Sequence, residues 1–322
     1  MVNAKSDDEG ALVTDLDPEL AVLRDRSREA GLAPLVELSA SEARERVRGG
    51  NRLCAAGPTE VAVTDLAAEH DGRSVDVRVY AAADAAATLV YAHGGGWVTG
   101  DLDYSDELCR FVAARGVRVV SVDYRLAPEH RFPAAFDDML TATRWASAVH
   151  GRVAVGGDSA GGNLAAATAL ALRDEPEITV AFQVLVYPVL DTDVTRDSYV
   201  SEAQAFPMGA ADMRWFLDHY LDGKPRSDDR VSPLRAASLA GLPPAHLVAA
   251  GHDPLRDEAR EYAHRLTEAG VPVTAELHPS LCHGFLRFTA ASSGARTARD
   301  GLVERIVALA ADGAPAVSWP GT

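Results

Sequence analysis

Short apolar runs alternate with amphipathic stretches through most of the chain from residue 88 onward. The runs span residues 88–92, 117–122, 153–155, 180–187, 245–250 and 271–277. Helical patterns follow most of them, as in residues 103–115, 133–149, 160–173 and 257–269. Such alternation predicts a parallel sheet with helices on both faces, joined by right-handed crossovers.

The pattern differs at the two flanks of this repeat. Residues 1–14 read as a polar tail, and residues 15–50 have helical spacing with a helix start at Ser39-Ala40-Ser41-Glu42. Apolar alternation on both sides of His70-Asp71-Gly72-Arg73 predicts a β-hairpin. Residues 190–240 interrupt the rhythm with polar clusters, an apolar helical patch and proline-rich turns. We expect an insertion packed over the strand ends.

Composition and charge narrow the class of protein. The 322 residues suit one large domain with an attached subdomain, and the net charge of −16 disfavours nucleic acid and anionic membranes as partners. Three scattered cysteines form neither a disulfide framework nor a zinc motif, so we expect free thiols. The acidic N-terminus lacks an apolar core like that of a signal peptide. We therefore expect a soluble, cytoplasmic protein.

A nucleophile motif follows the run at residues 153–155. Gly157-Asp158-Ser159-Ala160-Gly161 lies between a predicted strand and a predicted helix, where a serine on a sharp turn lifts its Oγ above a sheet. Glycines two positions on either side avoid clashes at that turn. The alternative is a structural Gly/Ser turn. We predict that Ser159 is a nucleophile.

A glycine-rich loop, His93-Gly94-Gly95-Gly96-Trp97, follows the run at residues 88–92. Its main-chain N–H groups could bind an oxyanion, and we predict Gly94, Gly95 and Ala160 as the donors. We expect His93 to hold the loop by hydrogen bonding. The alternatives are a flexible loop or a phosphate cradle, although the Lys-Ser/Thr of a phosphate-binding loop is missing.

A serine nucleophile needs a histidine base and a carboxylate that orients it. Asp253 and His283 follow the last two apolar runs, in the chain order of α/β-hydrolases. A histidine base predicts a rate that falls on the acidic side of neutrality. His252 and His278 are rival bases, and the neighbouring acidic pair at residues 257–258 reads as solvated or capping charge.

These motifs together resemble the hormone-sensitive-lipase-like family of α/β-hydrolases, the carboxylesterases with a His-Gly-Gly-Gly motif. The resemblance covers roughly residues 55–312. It rests on the two glycine motifs, with Asn163 and Leu164 after the second, and on Asp123-Tyr124-Arg125-Leu126-Ala127-Pro128-Glu129-His130, Phe132-Pro133-Ala134-Ala135, Asp253-Pro254-Leu255-Arg256-Asp257-Glu258 and His283-Gly284-Phe285.

The resemblance implies an α/β-hydrolase fold with a mostly parallel eight-stranded sheet and a helical cap. Residues 1–50 would form the tail and cap helices, and residues 51–322 the catalytic domain with a cap insertion at about 190–230. It also implies hydrolysis of short- to medium-chain esters, without metal or cofactor, by a monomer or homodimer. Many relatives carry a glycine shortly before the histidine, so Pro279-Ser280-Leu281-Cys282 implies a stiffer loop.

Several assignments stay open at this stage. Trp97, Phe206, Met208, Trp215 and Phe216 are candidate walls of the substrate pocket, and the insertion members could instead be cap core. The 123–130 segment reads as a structural polar network under the site. Cys282 is either a small buried side chain or a redox switch. The same triad would also suit a deacetylase or amide hydrolase of a specialised metabolite. A ligand-binding protein on this scaffold is the alternative from another class.

Overall fold

An eight-stranded sheet forms the centre of the protein. The computed structural model describes residues 14–82 and 84–312, so the tail predicted at residues 1–14 lies almost wholly outside the described residues. The strands are β1 (Val63–His70), β2 (Arg73–Tyr80), β3 (Thr88–Ala92), β4 (Arg118–Val122), β5 (Val153–Asp158), β6 (Val180–Val186), β7 (Ala245–His252) and β8 (Val273–Cys282). Their order is β1-β2-β4-β3-β5-β6-β7-β8. The two pairs that involve β2 are antiparallel and the rest are parallel, which confirms the predicted fold class.

Helices cover both faces of this sheet. They are α1 (Pro18–Glu29), α2 (Ala40–Gly49), α3 (Asp106–Ala114), α4 (Ala134–His150), α5 (Ala160–Leu172), α6 (Asp197–Ser201), α7 (Ala210–Leu221), α8 (Arg256–Glu268) and α9 (Ser293–Asp312), with short 3-10 turns at Leu35–Glu37, Gly50–Leu53, Pro233–Arg235 and Phe285–Phe288. The first and last residues of each helix predicted from residue 103 onward lie within three residues of the ends of an observed helix. The helix start predicted at residue 39 is a capping box, in which Ser39 and Glu42 satisfy each other's main-chain N–H groups.

Two hydrophobic cores, one on each face, hold the sheet between the helices. Along β3, Val90 belongs to the core shared with α4 and α5, whereas Leu89 and Tyr91 belong to the core shared with α3 and α9. All five residues of β3 are buried because both faces are covered. This explains why the central strands read as continuous apolar runs and not as alternating ones.

Strand β8 is longer than the sequence pattern predicts. The apolar run ends at residue 277, but the strand continues through Pro279 to Cys282, which pairs with His252 on β7. Gly251 makes room for this extension, since a Cβ atom there would lie 2.2 Å from the Pro279 carbonyl oxygen. The expectation of a stiff loop over residues 279–282 is therefore wrong, and β7 and β8 end side by side.

The two predicted cap segments contact each other. Helix α7 packs on the 3-10 turn Leu35–Glu37, and the Asp212 carboxylate lies within hydrogen-bonding reach of the Leu35 main chain. Helix α1 docks elsewhere. Its Leu20 is buried in the α3/α9 core, and Asp17 donates its main-chain N–H to the Ser280 carbonyl at 2.8 Å. That these segments function as a cap stays a prediction. No helix in the described ranges has the length and apolar character to cross a membrane.

Candidate active site

The turn between β5 and α5 holds Ser159 in a strained main-chain conformation. Its φ is 55° and its ψ is −116°. A Cβ atom on Gly157 would lie 2.3 Å from the Gly161 carbonyl, and one on Gly161 would lie 1.9 Å from the Ala92 carbonyl oxygen. Only glycine fits at both positions, as the sequence reasoning requires. The strain lifts the serine out of the strand and places it before the N-terminus of α5.

Ser159, His283 and Asp253 lie in one hydrogen-bonded chain. His283 Nε2 is 2.9 Å from Ser159 Oγ, and His283 Nδ1 is 2.8 Å from Asp253 Oδ2. The other Asp253 oxygen accepts the Leu255 N–H at 2.8 Å, which fixes the carboxylate. All three side chains are buried. A carboxylate can only accept here, so Nδ1 carries the proton and Nε2 is free to take one from the serine.

The rival residues lie away from this chain. His252 Nε2 is 2.9 Å from the Thr14 carbonyl oxygen, and His278 lies beside Glu276 within β8. Asp257 and Glu258 accept main-chain N–H groups of the 190–198 segment, so they are structural anchors and not solvated charges. The structure therefore brings only Asp253 and His283 to the serine.

The glycine loop presents a different donor set from the predicted one. The Gly94 N–H is donated to Asp158 Oδ1 at 3.0 Å, so the assignment of Gly94 as an oxyanion donor is wrong. Within the described ranges, no acceptor pairs with the N–H groups of Gly95 and Gly96. Ala160 is the first residue of α5, where an N–H has no partner inside the helix. The available donors are thus Gly95, Gly96 and Ala160.

His93 holds this loop in place. Its Nδ1–H donates to the Gly94 carbonyl at 2.7 Å, and its ring stacks on Tyr124, which donates a hydrogen bond to the His93 carbonyl. Burial lowers the pKa of His93 to about 4, so the imidazole is neutral at physiological pH. This agrees with the expected structural role of His93.

Two residues beside the triad were not singled out from the sequence. Asp158 accepts hydrogen bonds from Tyr91 and Gly94, and burial raises its pKa to about 6. Tyr187 follows β6 with a φ of 33°, and its ring meets the His283 imidazole edge-on at 4.8 Å. Asp158 could have been found from its position beside Ser159 in the sequence. Nothing in the local sequence indicates the strained backbone of Tyr187.

The predicted pocket residues separate into different environments. Trp97 is fully buried and stacks on Tyr220 at 4.4 Å, so it packs in the core, and its place in the pocket wall stays a prediction. Met208 is buried in the α4/α5 core, as the cap-core alternative states. Phe206 and Trp215 are half-buried. Phe216 is buried in the same core as Met208, and its ring also lies against the glycine loop, since a Cβ atom on Gly96 would lie 2.2 Å from it.

Two further expectations concern polar groups around the site. Cys282 is fully buried, and burial raises the pKa of its thiol, which favours the small buried side chain over the redox switch. The 123–130 segment does not form one network under the site. Instead, Arg125 pairs with Asp138 on α4, and Glu129 pairs with Arg44 on α2.

Comparison with known proteins identifies close relatives over nearly the whole chain. A family model described as the alpha/beta hydrolase fold matches residues 89–287. The carboxylic ester hydrolase LipN of Mycobacterium tuberculosis is 39% identical, over 90% of this chain and 82% of LipN. An ethyl acetate hydrolase of Pseudomonas putida is 38% identical, over 91% of this chain and 98% of that protein.

Solved structures agree with these relatives. An ester hydrolase from the metagenome of Lake Arreo, complexed with a bipyridine phosphonate derivative, superposes with a TM-score of 0.85 at 37% identity, over 91% of this chain and 98% of that one. An esterase from Pyrobaculum calidifontis gives 0.85 at 35% identity, over 92% and 99%. With the sheet order and the extent of these matches, the chain belongs to the hormone-sensitive-lipase-like family of α/β-hydrolases, a family of carboxylesterases.

Proposed function

We propose that this protein hydrolyses short- to medium-chain acyl esters through a covalent intermediate on Ser159. The observation that carries the proposal is the hydrogen-bonded chain from Ser159 Oγ through His283 to Asp253, with both links under 3 Å. This is the arrangement that acyl transfer by a serine requires. The reaction class also fits the ester hydrolases to which the chain is similar.

In the first step, His283 Nε2 takes the proton of Ser159 as Oγ attacks the ester carbonyl carbon. The carbonyl oxygen gains the negative charge, and we assign its stabilisation to the N–H groups of Gly95, Gly96 and Ala160. One such donor lowers the barrier by about 3 kcal/mol. Asp253 holds the imidazole and stabilises its charged form. The alcohol leaves with the proton from Nε2.

In the second step, water hydrolyses the acyl-enzyme. His283 takes a proton from the water, the hydroxide adds to the acyl carbon, and the same three N–H groups stabilise the new oxyanion. Collapse of this intermediate breaks the bond to Ser159 Oγ, which recovers its proton from His283 as the carboxylic acid leaves. The buried triad gives this step a site shielded from bulk water.

The preference for shorter chains is inferred from Phe216. Its ring lies against the main chain of Gly96, beside the proposed oxyanion donors. The Trp215 ring packs on the Phe216 ring in a T-shaped arrangement, with 5.1 Å between the ring centroids. A bulky ring at this point limits the room beside the reacting carbonyl, because a well-packed aromatic side chain does not yield without cost.

Hydrolysis of a p-nitrophenyl ester series from acetate to palmitate, with Ser159→Ala as the control, tests the proposal. We expect turnover of the short and medium esters, and a loss of at least about 10⁴-fold in kcat in the variant. An amide series run in parallel addresses the alternative substrate class. Binding of ester analogues without turnover by the folded parent protein would indicate a binding protein instead.

The chain-length proposal has its own test in Phe216→Ala. We expect the most rapidly hydrolysed ester to become longer, while the acetate keeps its kcat within a fewfold. Phe111→Ala is the matched control, because that ring packs in the α3/α9 core on the other face of the sheet. An unchanged chain-length profile in Phe216→Ala would remove this residue from the pocket.

We also assign a covering role to the segments α2 and α6–α7. Ser159 and His283 are buried although they directly follow the carboxyl ends of β5 and β8, where sheets of this kind bind their ligands. Helix α7 carries Phe216, and α2 lies beside the loop end through Arg44, which donates to the Val98 carbonyl at 2.8 Å. We propose that substrate reaches Ser159 when these segments move apart.

A further inference from the structure

A group of buried polar atoms without partners lies behind the nucleophile turn. Asp158 Oδ2 and the Nε and Nη1 atoms of Arg287 are enclosed and make no hydrogen bond among the described residues. Buried polar groups in folded proteins are almost always satisfied by protein or by ordered water, and an unsatisfied one costs about 1–3 kcal/mol. Two opposite charges with unsatisfied atoms in one place therefore require a partner.

A small cavity borders both of these groups. Asp158 and Arg287 both line it, together with Cys54, Tyr91, Tyr104, Ser105, Glu107, Leu108 and Leu286. Its volume, counted as space open to the centre of a water molecule, is about 10 Å³. That is the size needed for one water, which also needs two to four polar partners.

Arg287 is fixed in this position from its other side. Its Nη2 donates to the Val47 carbonyl at 3.0 Å and to Asn51 Oδ1 at 2.7 Å, and its guanidinium stacks on the Tyr104 ring at 3.8 Å. The remaining N–H groups are thus left for the cavity. Arg287 belongs to the turn Phe285–Phe288, which begins two residues after His283.

Asp158 connects the cavity to the reacting groups. Its Oδ1 accepts the Gly94 N–H and so anchors the glycine loop, and its main chain continues into Ser159. A change at this carboxylate is therefore transmitted to the loop that carries the proposed oxyanion donors.

We infer that one ordered water bridges the Asp158 carboxylate and the Arg287 guanidinium, and that Arg287 thereby acts as a positioning residue for the oxyanion loop. This inference rests on the proposed esterase function. It gives Arg287 a role that the motifs of the sequence do not indicate, because the residue lies outside all of them.

The electrostatics around Asp158 favour this role. Burial raises the pKa of Asp158 to about 6, and the positive charge of Arg287 acts against this effect. Glu107, which also lines the cavity, is buried and forms an ion pair with Arg299. The other titratable groups that face Asp158 or the cavity are neutral phenols and thiols: Tyr91, Tyr104, Tyr124, Tyr187, Cys54 and Cys109. Loss of the Arg287 charge would leave more of Asp158 protonated at neutral pH and weaken its hold on Gly94.

The main test compares pH profiles of kcat. In Arg287→Met we expect a fall in kcat of about tenfold at pH 7 with KM little changed, and an acidic limb that moves to higher pH by at least about half a unit. In the Asp158→Asn background the same substitution should not move the limb. Arg287→Lys, which keeps the charge, should restore most of the wild-type profile.

Asn51→Ala is the matched control, because it removes the hydrogen bond that Arg287 makes to Asn51 outside the cavity. The Arg287 atoms that face the cavity keep their surroundings in this variant. A limb that moves equally in Asn51→Ala, or equally with and without Asp158, would overturn the proposal. Arg287→Gln carries the same test if the methionine variant does not fold.

Two measurements do not depend on esterase activity. Infrared spectroscopy can follow the band of the protonated Asp158 carboxyl group, which is identified by its absence in Asp158→Asn. The pH midpoint at which this band disappears should be higher in Arg287→Met than in the wild type. A high-resolution crystal structure should show a water within hydrogen-bonding distance of both Asp158 Oδ2 and Arg287. An unshifted band, or a cavity without that water, would reject the inference even if the protein is an esterase. Absence of esterase activity with both results positive would reject only the proposed function.

Discussion

At the residue scale, the space around the nucleophile turn decides which side chains are allowed. Gly161, the second residue of α5, lies against the end of β3, and a Cβ atom there would overlap the Ala92 carbonyl at 1.9 Å and crowd the His93 carbonyl at 2.6 Å. Main-chain atoms in a sheet cannot move aside as a flexible side chain can. The glycine is therefore a condition for the contact between the turn and the glycine loop.

Gly161→Ala should lower kcat/KM by at least about 100-fold, which corresponds to ~2.7 kcal/mol of transition-state stabilisation, or prevent folding. Gly301→Ala is the control, since Gly301 lies inside α9 and a Cβ atom there would have no neighbouring atom within 4 Å. This second change should raise the free energy of unfolding by about 0.5–1 kcal/mol and leave activity intact. Esterase assays and urea unfolding of both variants check this, and near-wild-type activity in Gly161→Ala would contradict it.

The residues of the triad could be predicted from the sequence because each one follows an apolar run, where parallel strands present their carboxyl ends. The oxyanion donors could be predicted only in part. Gly94 is excluded by a hydrogen bond to Asp158, which is 64 residues away in sequence. Such a competition for one N–H depends on tertiary contacts that local sequence does not carry.

At the element scale, Glu258 connects α8 to the chain that leaves β6 for the insertion. Its Oε2 accepts the N–H groups of Leu190 and Asp191, and its Oε1 lies 3.4 Å from Tyr199 Oη. Glu258 is completely buried, and this burial raises its pKa well above the usual value of 4.5. The carboxyl group therefore keeps its proton in the folded protein at pH values where the unfolded chain has lost it.

This difference makes the stabilisation by Glu258 depend on pH. A group whose pKa is raised by folding contributes fully below its unfolded pKa, and the contribution falls as the pH rises above about 4.5, by up to ~1.4 kcal/mol per pH unit. Glu258→Gln, which mimics the protonated acid, should therefore gain stability relative to wild type between pH 5 and pH 8. Urea unfolding at several pH values measures this, with exposed Glu268→Gln on α8 as the control. A constant difference between wild type and Glu258→Gln would contradict a raised pKa.

The strands and helices themselves could be predicted well from periodicity, and β8 shows where this fails. The apolar pattern stops at residue 277, yet pairing with β7 extends the strand by the five residues 278–282, which include Pro279. A strand at the edge of the sheet can include proline, because one side of it has no partner to receive an N–H. Neighbouring strands, and not local propensity, set this boundary.

At the scale of the whole molecule, Arg44 joins the N-terminal segment to the catalytic centre. From α2 it donates to the Val98 carbonyl and the Ala127 carbonyl, both at 2.8 Å, and it forms an ion pair with Glu129. One side chain thereby links α2 to the end of the glycine loop and to the segment after β4. We expect this link to control how easily α2 separates from the rest.

Arg44→Met should increase amide hydrogen exchange in α2 by about tenfold, because the local opening loses charge-assisted hydrogen bonds to two carbonyls. Arg48→Met is the control on the same helix, since its ion pair with Asp101 is mostly exposed and contributes little. Exchange measured by mass spectrometry distinguishes the two variants. Equal exchange in both would show that the Arg44 contacts do not hold α2 in place.

The distance along the chain between Ser159 and His283 has a consequence for biosynthesis. The two residues are separated by 124 positions, and Asp253 also follows the serine. At about 5–20 residues per second, a ribosome needs roughly 6–25 seconds to add the base after the nucleophile has been made. A nascent chain therefore carries an unactivated serine for most of its C-terminal synthesis. The moment at which esterase activity appears during translation would therefore report when β8 is complete, and not when the central strands are complete.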